Sequence, residues 1–328
     1  MRDRAPIFVV GSARSGNTLL YHLLLASGHF PPYRTEPVVF DLLIPRFGDF
    51  RHRRNREELM KYWVRSKQCR LTGLDPQQIT DRVLDKISTA GDFLSTVMEE
   101  MAQSQGYRRW AVWGPDNLLH MRAIKRQIPN ALFIHVIRDG RDVAYALHTK
   151  GFIRPFPWDR QHRLLVSALH WKWKVQTGRR SGHELGEDYF EVRFEDLVLK
   201  PQQTLSRVGE FIGLPLDYDH IRGSQLGVVS TPNTSFPAEL RSGSFKPVGR
   251  WKKQLSPEEV LQLESLIGDE LEELQYPLSG PNPPKPGLRL RTLKAIYPPF
   301  YSFKEWSRLR TPLGRLVNMD RLVLQELS

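Results

Sequence analysis

The chain has 328 residues and a formal net charge of +12. Its one cysteine, Cys69, excludes a disulfide framework and a cysteine-rich zinc site. No apolar run reaches the ~18 residues of a membrane span, and the charged start, Met1 to Pro6, lacks the apolar core of a secretory signal. A reducing cytoplasm is the compartment these features lead one to expect. The length suits one large α/β domain or two small ones. The charge excess sits in two places. Residues 46–70 carry nine Lys/Arg against three Asp/Glu, and residues 285–328 carry the same count. Charge so concentrated points to an anionic partner or to a solvated basic face.

In chain order, residues 7–12 (IFVVGS) form an apolar, β-branched run that predicts a buried strand. A helix is expected over 18–27, ending at Gly28. Residues 46–110 are helical in character but without sharp boundaries. Residues 132–137 (LFIHVI) predict a second buried strand and 141–150 the helix after it. Residues 189–194 predict a third strand and 201–212 a third helix. Ser256-Pro-Glu-Glu259 is a capping box with proline in the first turn, and Val260, Leu263, Ile267, Leu271 and Leu274 mark one helical face after it. Strand, turn and helix recur, so the expected fold is α/β, a parallel sheet flanked by helices. Residues 279–287 (SGPNPPKPG) read as a Pro-rich linker. This divides the chain into a domain over 1–278 and a basic, aromatic C-terminal extension over 288–328.

The first strand runs into Gly11-Ser-Ala-Arg14-Ser15-Gly16-Asn17-Thr18. This is the spacing of the P-loop, with Asn17 where the lysine belongs. Glycines let successive backbone N–H groups turn inward, and the following helix adds the partial positive charge of its N-terminus. The missing lysine is the one that reaches the β/γ-phosphates of a nucleoside triphosphate. The cation has moved into the loop, to Arg14, whose planar fork suits a phosphate or a sulfonate. A second cluster, Arg138-Asp-Gly-Arg141-Asp142, ends the second strand. Carboxyl ends of parallel strands are where open α/β sheets bind ligands. Arg138 or Arg141 could meet a second anionic group, or the cluster could be an Arg–Asp network closing a turn.

The sequence resembles the sulfotransferases that use 3′-phosphoadenosine 5′-phosphosulfate (PAPS). RSGNT (14–18) is similar to their 5′-phosphosulfate loop, IRDGRDVAYAL (137–147) to their 3′-phosphate motif, and VRFEDLVLKPQQTLSRVGEFIGLP (192–215) and VGRWKKQLS (248–256) to two later segments in the same order. The resemblance implies a P-loop-type three-layer fold that binds PAPS as co-substrate, needs no metal, and transfers a sulfuryl group to a hydroxyl or amine acceptor, releasing 3′,5′-ADP. It implies cofactor contacts from Arg14, Ser15, Gly16, Asn17, Thr18, Leu19, Arg138, Ser235 and Arg250, with Phe236 stacking on adenine. It makes Arg14 catalytic together with Glu36, the general base, which lies 22 residues past Arg14, much as in tyrosylprotein relatives. A cation such as Arg34 near that carboxyl lowers its pKa, and burial raises it. His29 and His120 are the alternative bases.

Three positions depart from the family pattern. Asn17 replaces the first threonine of the loop's pair and can still donate a hydrogen bond to an anion. Ala146 stands where relatives carry a serine of the 3′-phosphate motif, leaving Tyr145 or His148 to compensate. Trp113-Gly114-Pro115-Asp116-Asn117 lacks the lysine found in many relatives, so another cation must take its place. Two other readings stay open on the sequence: a P-loop kinase or NTPase, and a non-enzymatic basic protein. No nucleic-acid partner is expected. The acceptor is a hydroxyl-bearing molecule, itself anionic on the charge argument. The aromatics of the extension are expected to pack back onto the domain, leaving its basic residues outside near the acceptor entrance; a membrane surface, an anionic acceptor or a partner subunit are the other readings.

Overall fold

The computed structural model describes residues 2–150, 153, 162–224, 246–280 and 286–317. Strand β1 (Ile7–Gly11) is buried at every position, and so is β3 (Leu132–Ile137). That is the pattern of central parallel strands covered on both faces. They pair in parallel, Ile7 with Leu132 through Gly11 with Val136. Strand β2 (Ala111–Trp113) flanks β1 and β4 (Tyr189–Arg193) flanks β3, also in parallel, giving the order β2-β1-β3-β4. Strand β2 has three residues, too few for a period-2 pattern to register in sequence.

Alternation along β1 sends side chains to two cores. Ile7 and Val9 join Leu20 and Leu24 of α1 (Asn17–Ala26) and Leu205 and Val208 of a later helix, Pro201–Ile212. Phe8 and Val10 face the other way, into a cluster with Leu59, Trp63, Val83, Phe93 and Met98. These come from helices at 53–63, 76–86 and 90–104, so the basic 46–70 segment is part of a folded layer. A third core joins helices α2 (Gly140–Lys150), α3 (Arg163–His183), α4 (Pro257–Glu273) and α5 (Leu288–Arg310) through Val143, Trp171, Leu263, Leu293, Tyr297 and Tyr301.

The expected capping box is present at the start of α4: Ser256 Oγ accepts from Glu259 N at 3.2 Å, and Ser256 N donates to Glu259 Oε2 at 2.8 Å. At the first residue of the Pro-rich stretch and again beyond it, the chain is tied back to the core. Ser279 donates its N–H and hydroxyl to Glu264 of α4, and Tyr301 Oη of α5 donates to Val166 O of α3 at 3.2 Å. Helix α5 forms in spite of Pro298 and Pro299 in its middle. Each proline removes one backbone donor, and burial of Tyr297 and Tyr301 on either side offsets that loss. Among the described residues no helix is long and apolar enough to cross a membrane.

Candidate active site

The register of the sheet sets the site. Gly11 pairs with Val136, so the loop after β1 and the Arg138 cluster after β3 leave the sheet side by side at its carboxyl edge. Gly16 has φ of +100°, and a Cβ there would meet the Phe194 ring at 2.3 Å. A Cβ on Gly11, at φ of +155°, would lie 2.5 Å from Val136 O. Arg14 adopts a left-handed φ of 69°, a conformation that costs a non-glycine residue energy and that clusters at binding sites. Helix α1 starts at Gly16 without a side-chain cap. The N–H groups of its first turn are thereby left for a ligand, at the positive end of the helix dipole.

The loop's polar atoms divide into two sets. Asn17 is buried and turns inward, donating from Nδ2 to Ser12 O at 3.0 Å and Gly11 O at 3.5 Å. Its amide fastens the loop, and its backbone N–H stays with the uncapped turn. Ser15 Oγ and Arg14 Nε are buried without a protein partner. Burial holds the Arg14 guanidinium below its ordinary pKa, and the charge of Arg138 adds to the effect. Cationic side chains in a partly desolvated loop favour anionic ligands. Orphaned donors and a glycine-walled cradle fit a phosphate or phosphosulfate group.

Arg138 is held on several sides. It lies over the Phe194 ring at 4.5 Å, donates from Nη1 to Arg14 O at 3.0 Å and from Nη2 to Pro247 O at 2.5 Å and to Asp142 Oδ2 at 3.4 Å, while its Nε has no protein partner. Arg141 belongs to a different structure. It grips Asp139 with Nε and Nη2 at 3.0 and 2.7 Å, reaches Glu264 Oε1 with Nη1 at 2.5 Å, and stacks on Trp251 at 3.8 Å. Asp142 accepts from the backbone N–H of Gly249 and of Trp251, both at 2.9 Å. Within the RDGRD motif, Arg141 and the aspartates lock the Gly-Arg-Trp segment onto α2, and Arg138, paired with Asp142, also reaches the loop at Arg14 O. Arg250 is buried within that locked segment. Ser235 and Phe236 lie outside the described residues.

Glu36 is half-buried on a segment pinned at several points. Gln68 Nε2 donates to Glu36 O at 2.6 Å, Tyr21 Oη donates to Tyr33 O at 2.7 Å, and Tyr33 Oη donates to Gln68 O at 3.4 Å. Of the alternative bases, His29 is exposed just past α1. His120 is buried against Glu305 of α5 at 3.5 Å and stacked on Phe40. Burial lowers its pKa to about 4. Tyr145 donates its hydroxyl to Gln254 at 3.1 Å, and Ala146 beside it is buried.

A cation that sequence reasoning missed stands at the turn after β2. Lys174 of α3 is 2% exposed and places Nζ 2.6 Å from Asp116 Oδ1 and 3.4 Å from Pro115 O. It arrives from 58 residues downstream of Asp116, in the turn where the family pattern has its lysine. Nothing in local spacing links the two positions.

A family model described as the sulfotransferase family matches residues 6–218. The chain belongs to the sulfotransferase family. Protein-tyrosine sulfotransferase 1 of Danio rerio is 25% identical over 293 residues, 87% of this chain and 76% of that protein. Protein-tyrosine sulfotransferase 2 of Gallus gallus is 26% identical over 289 residues, 86% of this chain and 71% of the relative. Carbohydrate sulfotransferase 7 of Rattus norvegicus is 34% identical over 128 residues, which is 35% of this chain and 25% of the relative. Among solved structures, the sulfotransferase domain from the curacin biosynthetic pathway superposes with a TM-score of 0.54 at 20% identity, covering 84% of this chain and 98% of the domain. The sulfotransferase domain of the Synechococcus olefin synthase gives 0.51 at 19% identity, covering 83% of this chain and 95% of the domain. These likenesses establish the α/β fold with its central parallel sheet.

Proposed function

We propose that this family member transfers a sulfuryl group from PAPS to a hydroxyl acceptor and releases 3′,5′-ADP. The observation that carries the proposal is the placement of two arginines, Arg14 and Arg138, on adjacent parallel strand ends, each with a buried Nε that no protein group satisfies. One anion-binding loop would suit any phosphate; two cationic sites side by side suit a ligand with two separated anionic ends. Bound PAPS supplies the sulfuryl group and a phosphate leaving group. Arg14, Ser15 Oγ and the N–H groups of Gly16, Asn17, Thr18 and Leu19 would hold the 5′ end, where negative charge grows as the S–O bond breaks. Arg138 and Arg250 would take the 3′-phosphate. Glu36 would accept the acceptor's proton as the new O–S bond forms. Ser235 joins this set by its spacing in the sequence. Relatives named for protein tyrosine and for carbohydrate support a hydroxyl acceptor of either kind.

Thermal stability with 3′,5′-ADP, 5′-AMP and ATP tests the reading. A ligand at about 100 times its dissociation constant adds roughly 2.7 kcal/mol to the folded state, so 3′,5′-ADP is expected to raise the melting temperature well above the other two. Equal stabilisation by 5′-AMP would remove the 3′-phosphate site, and stronger stabilisation by ATP would return the loop to the kinase class.

A further inference from the structure

Helix α5 has two apolar faces. Leu293, Tyr297 and Tyr301 point inward, into the core with α3 and α4. Glu305 and Arg308 continue this inner side and are paired there with each other at 2.8 Å, and Glu305 lies 3.5 Å from His120. On the opposite side Leu288, Ile296, Pro299, Phe303, Trp306 and Arg310 recur at the three- and four-residue spacings, and multiples of them, that keep residues on one face of a helix. This side is bare: Leu288 is 84% exposed, Phe303 63% and Trp306 54%. Phe303 and Trp306 stack on one another at 5.9 Å and form a continuous aromatic surface. The turn after the helix adds Leu313 and Leu316, 59% and 78% exposed. Large bare apolar side chains in a row are uncommon on a soluble surface and mark a place of attachment.

The residues beside this stripe are basic. Arg289, Arg291, Arg310 and Arg315 are all exposed. The tertiary structure also brings up the other basic segment. The turn at 312–316 rests on the short helix Ile44–Phe47, close enough that a Cβ on Gly314 would lie 2.8 Å from Pro45 O. Residues 46–70 begin there, with Arg51 and Arg53 exposed and Tyr62 half-exposed against Phe47. The two segments that hold the whole charge excess, more than two hundred residues apart in sequence, therefore adjoin.

We propose that the outer face of α5 and the turn after it dock on an anionic lipid bilayer, with Phe303, Trp306, Leu313 and Leu316 entering the headgroup–acyl boundary and the surrounding arginines engaging lipid phosphates and carboxylates. A helix lying in the interface plane needs this combination: an apolar stripe, basic flanks, and low overall hydrophobicity. Charge decides for an anionic bilayer over a second copy of the chain, because two copies of a +12 protein would bring like-charged rims together. The Glu305–His120 contact places the docked helix beside the turn after β2, so the carboxyl edge of the sheet would lie close to the membrane surface.

The test is flotation of the full chain with phosphatidylcholine vesicles, with and without phosphatidylserine. Binding is expected to phosphatidylserine vesicles at low salt, to weaken about fivefold for each basic residue neutralised, and to be lost on pure phosphatidylcholine. The variant Phe303→Ser/Trp306→Ser should lose at least about tenfold in partitioning. Its melting temperature and 3′,5′-ADP affinity should not change, since both side chains are exposed. No binding of the native chain to phosphatidylserine vesicles at low salt overturns the proposal. So does equal binding by the variant, or concentration-dependent self-association that the variant abolishes, which would make the stripe an interface between copies. The readout is binding, so it stands whether or not sulfuryl transfer is the reaction.

Discussion

The guanidinium of Arg141 meets the carboxylate of Glu264 at 2.5 Å, and each side chain is 1% exposed. Ser279 gives the same carboxylate two further hydrogen bonds, and Trp251 covers the guanidinium. One ion pair thereby joins the end of β3, the Gly-Arg-Trp segment, α4 and the start of the chain's C-terminal part. Loss of the Glu264 carboxylate leaves the guanidinium with Asp139 as its counter-charge and takes away hydrogen bonds to a buried charged group, at a cost of about 1.5–3 kcal/mol. Glu264→Ala is therefore expected to lower stability to urea by that amount.

Arg138, three residues earlier in the chain, should behave differently. Arg138→Ala is expected to weaken 3′,5′-ADP binding by about 10- to 100-fold, the worth of a charge-assisted hydrogen bond or two. A ligand titration beside a urea melt separates the two roles. If Arg138→Ala binds 3′,5′-ADP normally, Arg138 is another member of the structural network.

Glu36 sits on a backbone fixed by Gln68 and, through Tyr33, by Tyr21. Glu36→Gln keeps the size and the hydrogen-bonding capacity and removes the basicity. Transfer to a hydroxyl acceptor should slow by roughly 10²–10⁴-fold, with 3′,5′-ADP affinity unchanged. Transfer at the native rate would exclude it as the base and direct attention to the histidines.

Lys174 offers a charge at the turn after β2, which the local sequence does not supply. Lys174→Met is expected to reduce the rate of transfer by about 10²–10³-fold, the range for loss of one preorganised donor near developing charge. Lys174→Arg should recover part of it. Asp116→Asn controls for the structural alternative, since it removes the same ion pair and keeps the ammonium. A loss of stability in both variants, with normal turnover, would make the pair a structural tie.

Burial also fixes how the fold answers to acid. The pKa of His120 is held at about 4 and that of His135 at about 3, in both cases chiefly by burial. An unfolded histidine titrates near 6.5. Below that pH the unfolded chain takes up protons that the folded chain refuses. Each of the two then removes up to about 1.4 kcal/mol per pH unit, and the loss ends once pH falls below the folded value. Urea midpoints should drop between about pH 6.5 and 4. The drop should be smaller in His120→Gln. A midpoint independent of pH over that range would mean that these rings are hydrated in the folded protein.

Much of the catalytic half was legible in the sequence because its signals are local. The β-branched run IFVVG predicts a buried strand, and glycines at 11 and 16 with a helix behind them predict a tight strand–loop–helix turn. The capping box at Ser256 and the helix at 201–212 were legible for the same reason. Tertiary structure decided the rest. Strand β2 is three residues long and is a strand only because β1 lies beside it. Asn17 looked like a ligand donor, but its side chain turned inward because the carbonyls of Gly11 and Ser12 lay within reach. The sequence offered two readings of RDGRD: the nearness of Glu264 puts Arg141 in the Arg–Asp network, and Arg138 both joins that network through Asp142 and reaches the loop at Arg14 O. Lys174 and Asp116, and the basic segments at 46–70 and 285–328, lie too far apart along the chain for any period or spacing to relate them. Such partners are chosen by packing, because each helix must bury its apolar face, and the charged groups it carries come to rest wherever that burial places them.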